Sequence, residues 1–312
     1  MGTLIEHVAL TRSGWRNRHS ALHLAVKAAK DCLRQAGREP HEVDLLINAG
    51  IYRDRNLGEP ALAAMIQQDI GANPENPHAD THGTFSFDIS NGTCGVLTAL
   101  QIVDGFLQSH AIDCALVVAG DADPGYGMSE HFPFSAAGAA MLCDWTDHDY
   151  GLDRISWVNA PDEGESFNAT VGLERGHNVL RTVASGEIDE KFAAVAVRAV
   201  DESLCTSALQ PDDIDVIVAA PARPRYRAGL ATRLGVAEKT IIVAEDENAH
   251  TASFCGGIRA RNPQAALWQP CSPRRRRCRN HCRRRPVPPA GDPYIKLCGP
   301  GYPSVPGPHS SG

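Results

Sequence analysis

The chain has 312 residues, enough for one or two domains, and its 43% hydrophobic content is ordinary for a globular protein. Its net charge of −7 hides an asymmetry, because residues 271–312 carry about +8 and the rest of the chain about −15. An acidic body argues against a nucleic-acid-binding core. No apolar run approaches the roughly 20 residues of a membrane helix, and the N-terminus lacks the apolar core of a secretory signal. We therefore expect a cytoplasmic protein without nucleic-acid or membrane partners.

The ten cysteines are scattered through the chain. In a small secreted protein this number would suggest disulfides, but most of those before the C-terminal tail lie within apolar runs. Such thiols stay reduced in a cytoplasmic protein. We therefore expect reduced, buried cysteines at the following positions: Cys32, Cys94, Cys114, Cys143, Cys205 and Cys255.

The first predicted elements alternate between helix and strand. Residues 20–37 have the apolar spacing of an amphipathic helix, and Gly37 is its C-terminal stop. Residues 41–50 form an apolar run typical of a buried strand. Residues 60–72 predict a second helix, with Pro60 allowed in its first turn. This alternation favours sheets covered by helices.

Residues 84–121 predict a strand–turn–helix–strand unit. Residues 84–89 are a short β-favouring run, a Ser-Asn-Gly turn interrupts it, and apolar residues with helical spacing follow Gly95. The second strand begins near Cys114. One cysteine, Cys94, lies in the turn at the start of the helix.

The position of Cys94 has a chemical consequence. A thiol there meets the unpaired N–H groups and the positive dipole end of the helix, which favour the thiolate. Such a cysteine suits a nucleophile that carries an acyl group. The alternative is a small cysteine packed under a turn without a chemical role. Asp88 and Asp121, at the ends of the two strands, are expected to cap turns.

Further elements follow this unit. We predict a small-residue segment leading into a strand at 134–145 and another strand at 151–161. The later predictions are a helix at 225–236, a strand at 239–246, and a loop that enters another helix within 247–258.

The chain also repeats itself. Residues 25–49 and 196–220 match without gaps at a constant offset of 171. Both copies contain a helix, a turn with a proline (Pro40 and Pro211), an acidic pair and a buried aliphatic strand. A helix and a strand could coincide in any α/β protein, but identical spacing through the turn indicates duplicated halves.

Beyond residue 260 no hydrophobic period remains, and nine prolines follow residue 270. Such a segment cannot bury enough apolar surface to order itself. It could be a basic tail for nucleic acid or acidic surfaces, a zinc site, or the out-of-frame translation of a GC-rich gene. The last is favoured, because the tail supplies no strand for the second half. The zinc ligands would be irregularly spaced and lack a paired CxxC: Cys271, Cys278, His281 and Cys282.

These patterns divide the chain into three parts. Residues 1–165 form an N-terminal half with the candidate nucleophile, and residues 166–260 form an incomplete C-terminal half. Residues 261–312 form a disordered tail rich in Arg, Pro and Gly. An incomplete second sheet would expose apolar surface and an unpaired edge, so we expect low solubility.

Three segments resemble the thiolase-like superfamily, and most closely its β-ketoacyl-acyl-carrier-protein synthase III branch. DISNGTCGVLTAL (88–100) resembles the strand–cysteine–helix signature, and CALVVAGD (114–121) resembles the next strand. FSAAGAAML (134–142) resembles the small-residue FGDGAGA segment without its acidic member. The resemblance covers residues 20–258. It implies a duplicated, five-layer αβαβα fold, with its second half incomplete here, and a cysteine, Cys94, that takes an acyl group as a thioester and helps form the oxyanion hole.

The chain departs from this family at two places. The family's His-Gln-Ala-Asn motif reads Ala220-Pro221-Ala222-Arg223 here, so alanine replaces the histidine. The family's GNT loop falls in ENAHTAS, where Asn248 or His250 could take the place of its asparagine. The pair His250-Thr251 resembles the GHT of the related elongating synthases. His250 is therefore the evident candidate for a hydrogen-bond donor to a thioester carbonyl. The alternative is that His250 is a surface loop histidine without a chemical role.

Three further residues are candidates. His177 could approach the cysteine from the region after the halves join, or it could be a neutral loop histidine. Arg223 and Arg225 could bind a CoA phosphate or the acidic face of a carrier protein, or they could be solvated charges.

The resemblance implies an acyltransferase that is usually a homodimer. An acyl-CoA or an acyl carrier protein would load Cys94, and the acyl group would pass to a second substrate by condensation or acyl transfer in fatty-acid or polyketide-type metabolism. The thioester is a substrate, so no cofactor and no metal are expected. The replaced histidine favours a specialised pathway over fatty-acid initiation. The alternative is a catalytically impaired partner subunit of a ketosynthase-like dimer.

Overall fold

The computed structural model describes residues 2–73, 83–148, 150–161, 166–207, 209–261 and 295–298. The α-helices in this part are α1 (Ala21–Ala36), α2 (Leu62–Ile70), α3 (Gly95–Gln108), α4 (Ile188–Ser207), α5 (Pro224–Leu234) and α6 (Ser253–Arg261). The strands are β1 (Gly2–Arg12), β2 (Leu45–Asn48), β3 (Phe85–Asp88), β4 (Cys114–Asp121), β5 (Ala137–Thr146), β6 (Phe167–Glu174), β7 (His177–Ala184), β8 (Val216–Ala219), β9 (Ile241–Ile242) and β10 (Ile295–Cys298). Within these ranges no helix has both the length and the apolar character needed to cross a membrane.

The first half is built on a five-stranded sheet with the strand order β1-β5-β4-β2-β3. β2, β3 and β4 are parallel, whereas β5 runs antiparallel to β4 and β1. Every residue of β4 is buried, which is typical of a strand covered on both faces. The parallel arrangement brings the C-terminal ends of β2, β3 and β4 to one edge of the sheet.

Three clusters of buried apolar side chains define five layers. Leu46 packs with α1 and α2 on one face of the sheet, and Leu45 packs with α3 and α6 on the other. In the second half, Val218 packs with the same central helices and Ile217 packs with α4 and α5. The layers alternate as αβαβα, which confirms the predicted α/β architecture.

The predicted duplication is also confirmed. Pro40–Glu42 and Pro211–Asp213 are short 3₁₀ turns, and β2 and β8 follow them at the same distance along the chain. In each turn the last carboxylate accepts a hydrogen bond from the backbone N–H of the residue before the turn, at 2.6 Å in the first copy and 2.8 Å in the second. This reciprocal capping gives the repeated spacing its physical reason.

Helix α1 begins and ends as its sequence predicts. The Ser20 hydroxyl accepts a hydrogen bond from the His23 N–H at 3.2 Å, and Gly37 closes the helix with a φ of 72°. A side-chain acceptor at the N-cap and a left-handed glycine at the C-cap satisfy the terminal backbone groups. The Asp54 carboxylate, from the segment after β2, also accepts hydrogen bonds from the Ala21 N–H and the Ser20 hydroxyl, so a tertiary contact adds to the local cap at the first turn.

Helix α2 begins later than predicted. Pro60 precedes the N-cap residue, so it is not part of the first turn. The Asp88 carboxylate instead accepts hydrogen bonds from the N–H groups of Leu62 and Ala63, both at 2.8 Å. The first turn thus begins where a carboxylate from β3 can cap it, which agrees with the expected capping role of Asp88.

Two predicted strands are corrected. Residues 151–161 contain no strand, because Ile155 and Trp157 bury their side chains against the central cluster without a neighbouring strand to pair with. The strand predicted at 239–246 is shortened to the two residues of β9, since the chain then leaves the sheet towards the loop before α6. Apolar side chains specify burial in both segments, but not hydrogen-bonded pairing.

β6 and β7 form an antiparallel hairpin that the residue pattern did not reveal. Leu173 and Val183 of this hairpin are exposed. Val179 and Leu180 are the buried residues of the two strands, and they are adjacent in the chain, so the strands lack the alternation of apolar and polar residues by which a strand is usually predicted.

Four residues of the tail form β10, which pairs in parallel with β8. Its register, Ile295 opposite Val216, repeats the pairing of Ala115 with Leu45 in the first half. The expectation that the tail supplies no strand is therefore wrong for these four residues, because β8 has a second edge that can accept a partner. The remaining tail, with its predicted disorder and its possible zinc ligands, lies outside the described residues.

Candidate active site

The site lies where the parallel strands of the first sheet end. β2 ends at Asn48 and β3 at Asp88, directly opposite each other, and β4 continues to Asp121. Asn48 is buried and donates a hydrogen bond to Asp88 at 3.0 Å. In open α/β sheets, this edge is where ligands usually bind.

Cys94 lies at this edge, on the 3₁₀ turn Gly92–Cys94 that continues directly into α3. Its side chain is fully buried. The next residue is glycine, and a Cβ on Gly95 would come within 3.1 Å of the Ala49 carbonyl oxygen and 3.2 Å of the Ala49 Cβ, which is closer than most such contacts. The close contact holds the start of α3, and with it Cys94, against the end of β2.

Asp121 joins two other segments to this edge. One carboxylate oxygen accepts hydrogen bonds from the N–H groups of Ile51 and Tyr52, at 3.3 and 3.2 Å. The other accepts from the Thr251 N–H at 2.8 Å and from the Thr251 hydroxyl. Asp121 thus caps the turn after β2, as expected for a carboxylate at a strand end, and also holds the loop before α6.

His250 is buried beside Asp121, with 3% of its surface exposed. Its Nδ1 lies 3.7 Å from the Asp121 Oδ2, an electrostatic contact that is too long for a direct hydrogen bond. The imidazole packs against Phe134 and Tyr52, with ring centroids 4.3 and 5.0 Å away. The packing fixes the plane of the ring inside the protein.

The pKa of Asp121 reflects this environment. Burial by itself would raise it, but the nearby His250 and the hydrogen bonds donated by Thr251 outweigh burial, so the pKa lies below its usual value. Asp121 is therefore a carboxylate at neutral pH and places negative charge beside the imidazole.

Several polar atoms around the two central helices lack partners. Both ring nitrogens of His250 and the hydroxyls of Thr93 and Ser253 are buried and have no hydrogen-bond partner among the described residues. Buried polar atoms are usually paired, so such a group marks a place for a polar ligand. Thr93 precedes α3 and Ser253 begins α6, so these hydroxyls lie at the N-terminal ends of the two helices of the central layer.

The segment 49–52 connects Cys94 with His250. Gly95 packs on Ala49 at one end of the segment, and the Tyr52 ring packs on His250 at the other. Asp121 binds the backbone between them. The two chemical candidates that lie farthest apart in the chain are thus positioned by one short turn.

Comparisons with known proteins agree with this arrangement. The chain is 29% identical over 287 residues to the β-ketoacyl-[acyl-carrier-protein] synthase III of Caulobacter vibrioides, covering 80% of each chain. It is 28% identical over 273 residues to the synthase III of Anaplasma marginale, covering 78% of this chain and 76% of the relative. The crystal structure of the priming β-ketosynthase from the R1128 polyketide pathway matches with a TM-score of 0.68 at 20% identity, over 85% of this chain and 89% of that one. No family model matches the chain.

The chain is a thiolase-like relative of the synthase III proteins. The predicted recognition and the thiolase-like fold class are therefore confirmed. The relationship supports an enzyme of the ketosynthase class. The roles of individual residues in this synthase III relative stay predictions.

The structure separates the two candidates of the ENAHTAS loop. Asn248 is exposed, and its carbonyl accepts a hydrogen bond from the Ser135 N–H at 3.0 Å. His250 is the buried one. Ala220, the predicted counterpart of the family's histidine, is also buried and offers no side-chain donor. His250 is therefore the one imidazole that the described residues place in this cluster.

The other candidates lie outside the buried cluster. His177 is exposed at the tip of the β6–β7 hairpin. Arg223 forms an ion pair with Asp189 at 2.8 Å and lies over the Phe192 ring, so its charge is already engaged. Arg225 is exposed in the first turn of α5.

The remaining cysteines differ from Cys94 in position. Cys205 is exposed, which corrects the expectation for that residue, because α4 presents it to solvent. Burial raises the pKa of Cys32, Cys114 and Cys255 to about 12. Burial also raises the pKa of Cys143. These four thiols are therefore unreactive at neutral pH.

One surface feature was missed by the sequence analysis. Trp15 is exposed, the Arg16 guanidinium lies 5.1 Å from its ring, and both line an open groove with Asn17 and His23. The groove is formed by residues that come directly after β1 in the chain. Ser20, which also lines it, donates a hydrogen bond from its hydroxyl to Asp54 in the segment after β2. The adjacent Trp and Arg in the sequence were the signal that could have revealed it.

Proposed function

We propose that this chain is an acyltransferase in which Cys94 carries the acyl group as a thioester. The proposal rests on the placement of a buried cysteine at the start of α3 and a buried, unpartnered histidine before α6. Gly95, next to Cys94, packs against one end of the segment 49–52, and His250 packs against the other end. The donor is an acyl-CoA or an acylated carrier protein, and the names of the relatives mention the acyl carrier protein.

The loading step follows from this placement. The Cys94 thiolate, favoured by the N-terminal end of α3, attacks the carbonyl carbon of the donor thioester. The carbon–sulfur bond of the donor breaks, and the departing thiol takes the proton that Cys94 lost. The N–H groups at the start of α3 supply donors for the oxyanion of this step.

In the second step the acyl group passes to another substrate. A condensation in the manner of the family would use two side-chain donors to hold the enolate, and Ala220 removes one of them. His250 supplies the remaining donor, which suits acyl transfer to a hydroxyl or amine, or a condensation with an altered donor set. We therefore place the reaction in a specialised pathway of fatty-acid or polyketide-type metabolism.

Substrate recognition is proposed for two surfaces. The exposed Trp15 and Arg16 present a flat aromatic ring and a fork of donors, which suit the adenine and a phosphate of CoA. Arg225, exposed on α5, remains a candidate for the acidic face of a carrier protein. We also propose a homodimer, because β3 is an edge strand on which Phe85 is exposed; sedimentation velocity of Phe85→Lys tests the dimer. The expected cytoplasmic location stays a separate proposal.

A catalytically impaired partner subunit is the second candidate. The observation that favours it is Ala220, buried where the family has its histidine. Such a subunit would keep the fold and the dimer surface and lose the chemistry. The retained Cys94 argues against it.

Incubation of the full chain with radiolabelled short-chain acyl-CoA, followed by peptide mapping, tests the proposal. We expect one label per chain on Cys94, its loss in Cys94→Ser, and full labelling in the matched control Cys205→Ser, which removes an exposed thiol. No label on Cys94 in a folded preparation would refute the acyltransferase. Restored activity of a homologous synthase on mixing, with no effect of Cys94→Ser, would establish the partner subunit.

A further inference from the structure

A cavity lies on the opposite side of the loop that carries His250, away from Asp121 and Tyr52. It has a volume of about 260 Å³ and is enclosed by the ends of β1 and β5, the loop 244–249 and one side of α6. Its walls are mostly small and apolar: Leu10, Ala137, Gly138, Ala244, Ala249, Ala252, Gly256 and Ala260. Since a cavity of about 150 Å³ holds benzene, this one accommodates a somewhat larger apolar body.

One polar group in the wall has no partner. Thr11 lines the cavity with 4% of its surface exposed, and its hydroxyl makes no hydrogen bond with any described residue. A buried hydroxyl without a partner is costly, so it indicates an absent polar ligand. Its position among small apolar residues points to a ligand with both a polar and an apolar part.

The charges of the lining residues are distributed unequally. Arg12 is paired with Glu245 at 2.6 Å. Asp246 accepts hydrogen bonds from the Ser135 hydroxyl and the Asn248 N–H, both at 3.0 Å. Arg259 lines the cavity and has no ion pair with the described residues. Arg259 is therefore the lining cation without an ion pair among the described residues, while the two nearby carboxylates, Glu245 and Asp246, disfavour a dianion such as a phosphate monoester.

We infer that this cavity is a binding site for a small amphipathic monocarboxylate, separate from the acyl site at Cys94. The apolar chain lies among the alanine and glycine residues, the carboxylate pairs with Arg259, and the Thr11 hydroxyl donates to it. This assignment does not depend on the proposed acyl transfer.

The site has a direct structural connection to the loop before α6. Ala249 and Ala252 face the cavity, whereas His250 and Thr251, between them, face Tyr52 and Asp121. A bound carboxylate would therefore pack against the loop that positions the imidazole and stabilise it.

Calorimetric titration of the full-length Cys94→Ser protein with octanoate tests the inference, because this variant cannot form the thioester. We expect one octanoate per chain. Arg259→Gln should weaken binding about tenfold, as expected for the loss of a charge-assisted contact, and Arg259→Lys should restore most of it. The matched control Arg261→Gln removes a charge from the same last turn of α6 outside the cavity and should bind normally.

Two further measurements distinguish this cavity from the acyl site. Ala260→Leu fills the cavity at a partly exposed position and should abolish octanoate binding without changing the thermal midpoint. Octan-1-ol, which lacks the charge, should bind equally to the parent and to Arg259→Gln. Absence of octanoate binding at millimolar concentration, or unchanged affinity in both Arg259→Gln and Ala260→Leu, would overturn the assignment.

Discussion

The carboxylate of Asp121 joins three segments that are far apart in sequence: β4, the turn after β2 and the loop before α6. It is 1% exposed and ionised, so its stability depends on the four hydrogen bonds that it accepts and on the imidazole beside it. The site at Cys94 therefore depends on a residue that need not touch the substrate.

Replacement of Asp121 by Asn should destabilise the protein. The new NH₂ group would face the Thr251 N–H, so buried donors would lose their acceptor. Each donor left without an acceptor lowers the free energy of unfolding by about 1–3 kcal/mol. The folded pKa of Asp121 lies below its unfolded value, so its contribution is complete above the unfolded pKa and is lost as pH falls through the folded pKa. Thermal denaturation from pH 7 to pH 3 should show that the difference in stability between the parent and Asp121→Asn shrinks below about pH 4. A deficit that stays constant to pH 3 would contradict this.

His250 should separate the two chemical steps. With His250→Ala, we expect Cys94 to accept an acyl group and transfer to the second substrate to fall about 10²–10³-fold, because a buried oxyanion donor is lost. Rapid-quench measurement of acyl-enzyme and product will show acyl-enzyme accumulating. His41→Ala, exposed on the turn before β2, is the control and should behave as the parent. Normal turnover in His250→Ala would remove the proposed role.

At the scale of elements, close packing of helix on sheet depends on Gly138 and not on Gly105. Gly138 of β5 lies under α1, where an added Cβ would meet the Leu24 carbonyl oxygen at 2.3 Å. Gly105 of α3 has open space around it. The first permits the backbone of α1 to approach the sheet, whereas the second only weakens its helix.

These two glycines make a matched pair. Gly138→Ala should lower the free energy of unfolding by about 3 kcal/mol through overpacking. Gly105→Ala should raise it by about 0.5–1 kcal/mol, because alanine loses less backbone entropy in a helix. Urea denaturation followed by circular dichroism measures both. Equal effects of the two substitutions would show that contact with α1 is not the cause.

At the scale of the whole molecule, the two halves share their central layer. Phe254 of α6 is fully buried in the same cluster as Leu45 and Leu100 of the first half. The halves therefore share the central one of the three apolar clusters, and we expect them to unfold together.

Phe254→Ala tests this cooperation. The substitution should lower the free energy of unfolding by about 3–5 kcal/mol. It should also increase the rate of hydrogen exchange in β4 of the first half as much as in β8 of the second. Leu173→Ala, on the exposed hairpin, is the control and should leave both strands protected. Faster exchange confined to β8 would show that the halves unfold independently.

Much of the fold could be predicted because its signals act over a few residues. The caps of α1, the turn that repeats at an offset of 171 and the cysteine at the start of α3 are all local patterns, and the structure retains each of them. The segment 151–161 shows the limit. Its apolar residues predict burial correctly, but whether a buried segment becomes a strand depends on a neighbour elsewhere in the chain.

The sequence by itself determined the α/β class, the duplication and the position of Cys94 at a helix start. Only the tertiary structure decided which residues surround it. His250 and Asp121 are separated by about 130 residues, and nothing local to either indicates the other. Their contact, the turn 49–52 between them and the cavity beside Thr11 arise from the packing of α6 against the first sheet. Such packing depends on the shapes of many side chains at once, which no short pattern encodes.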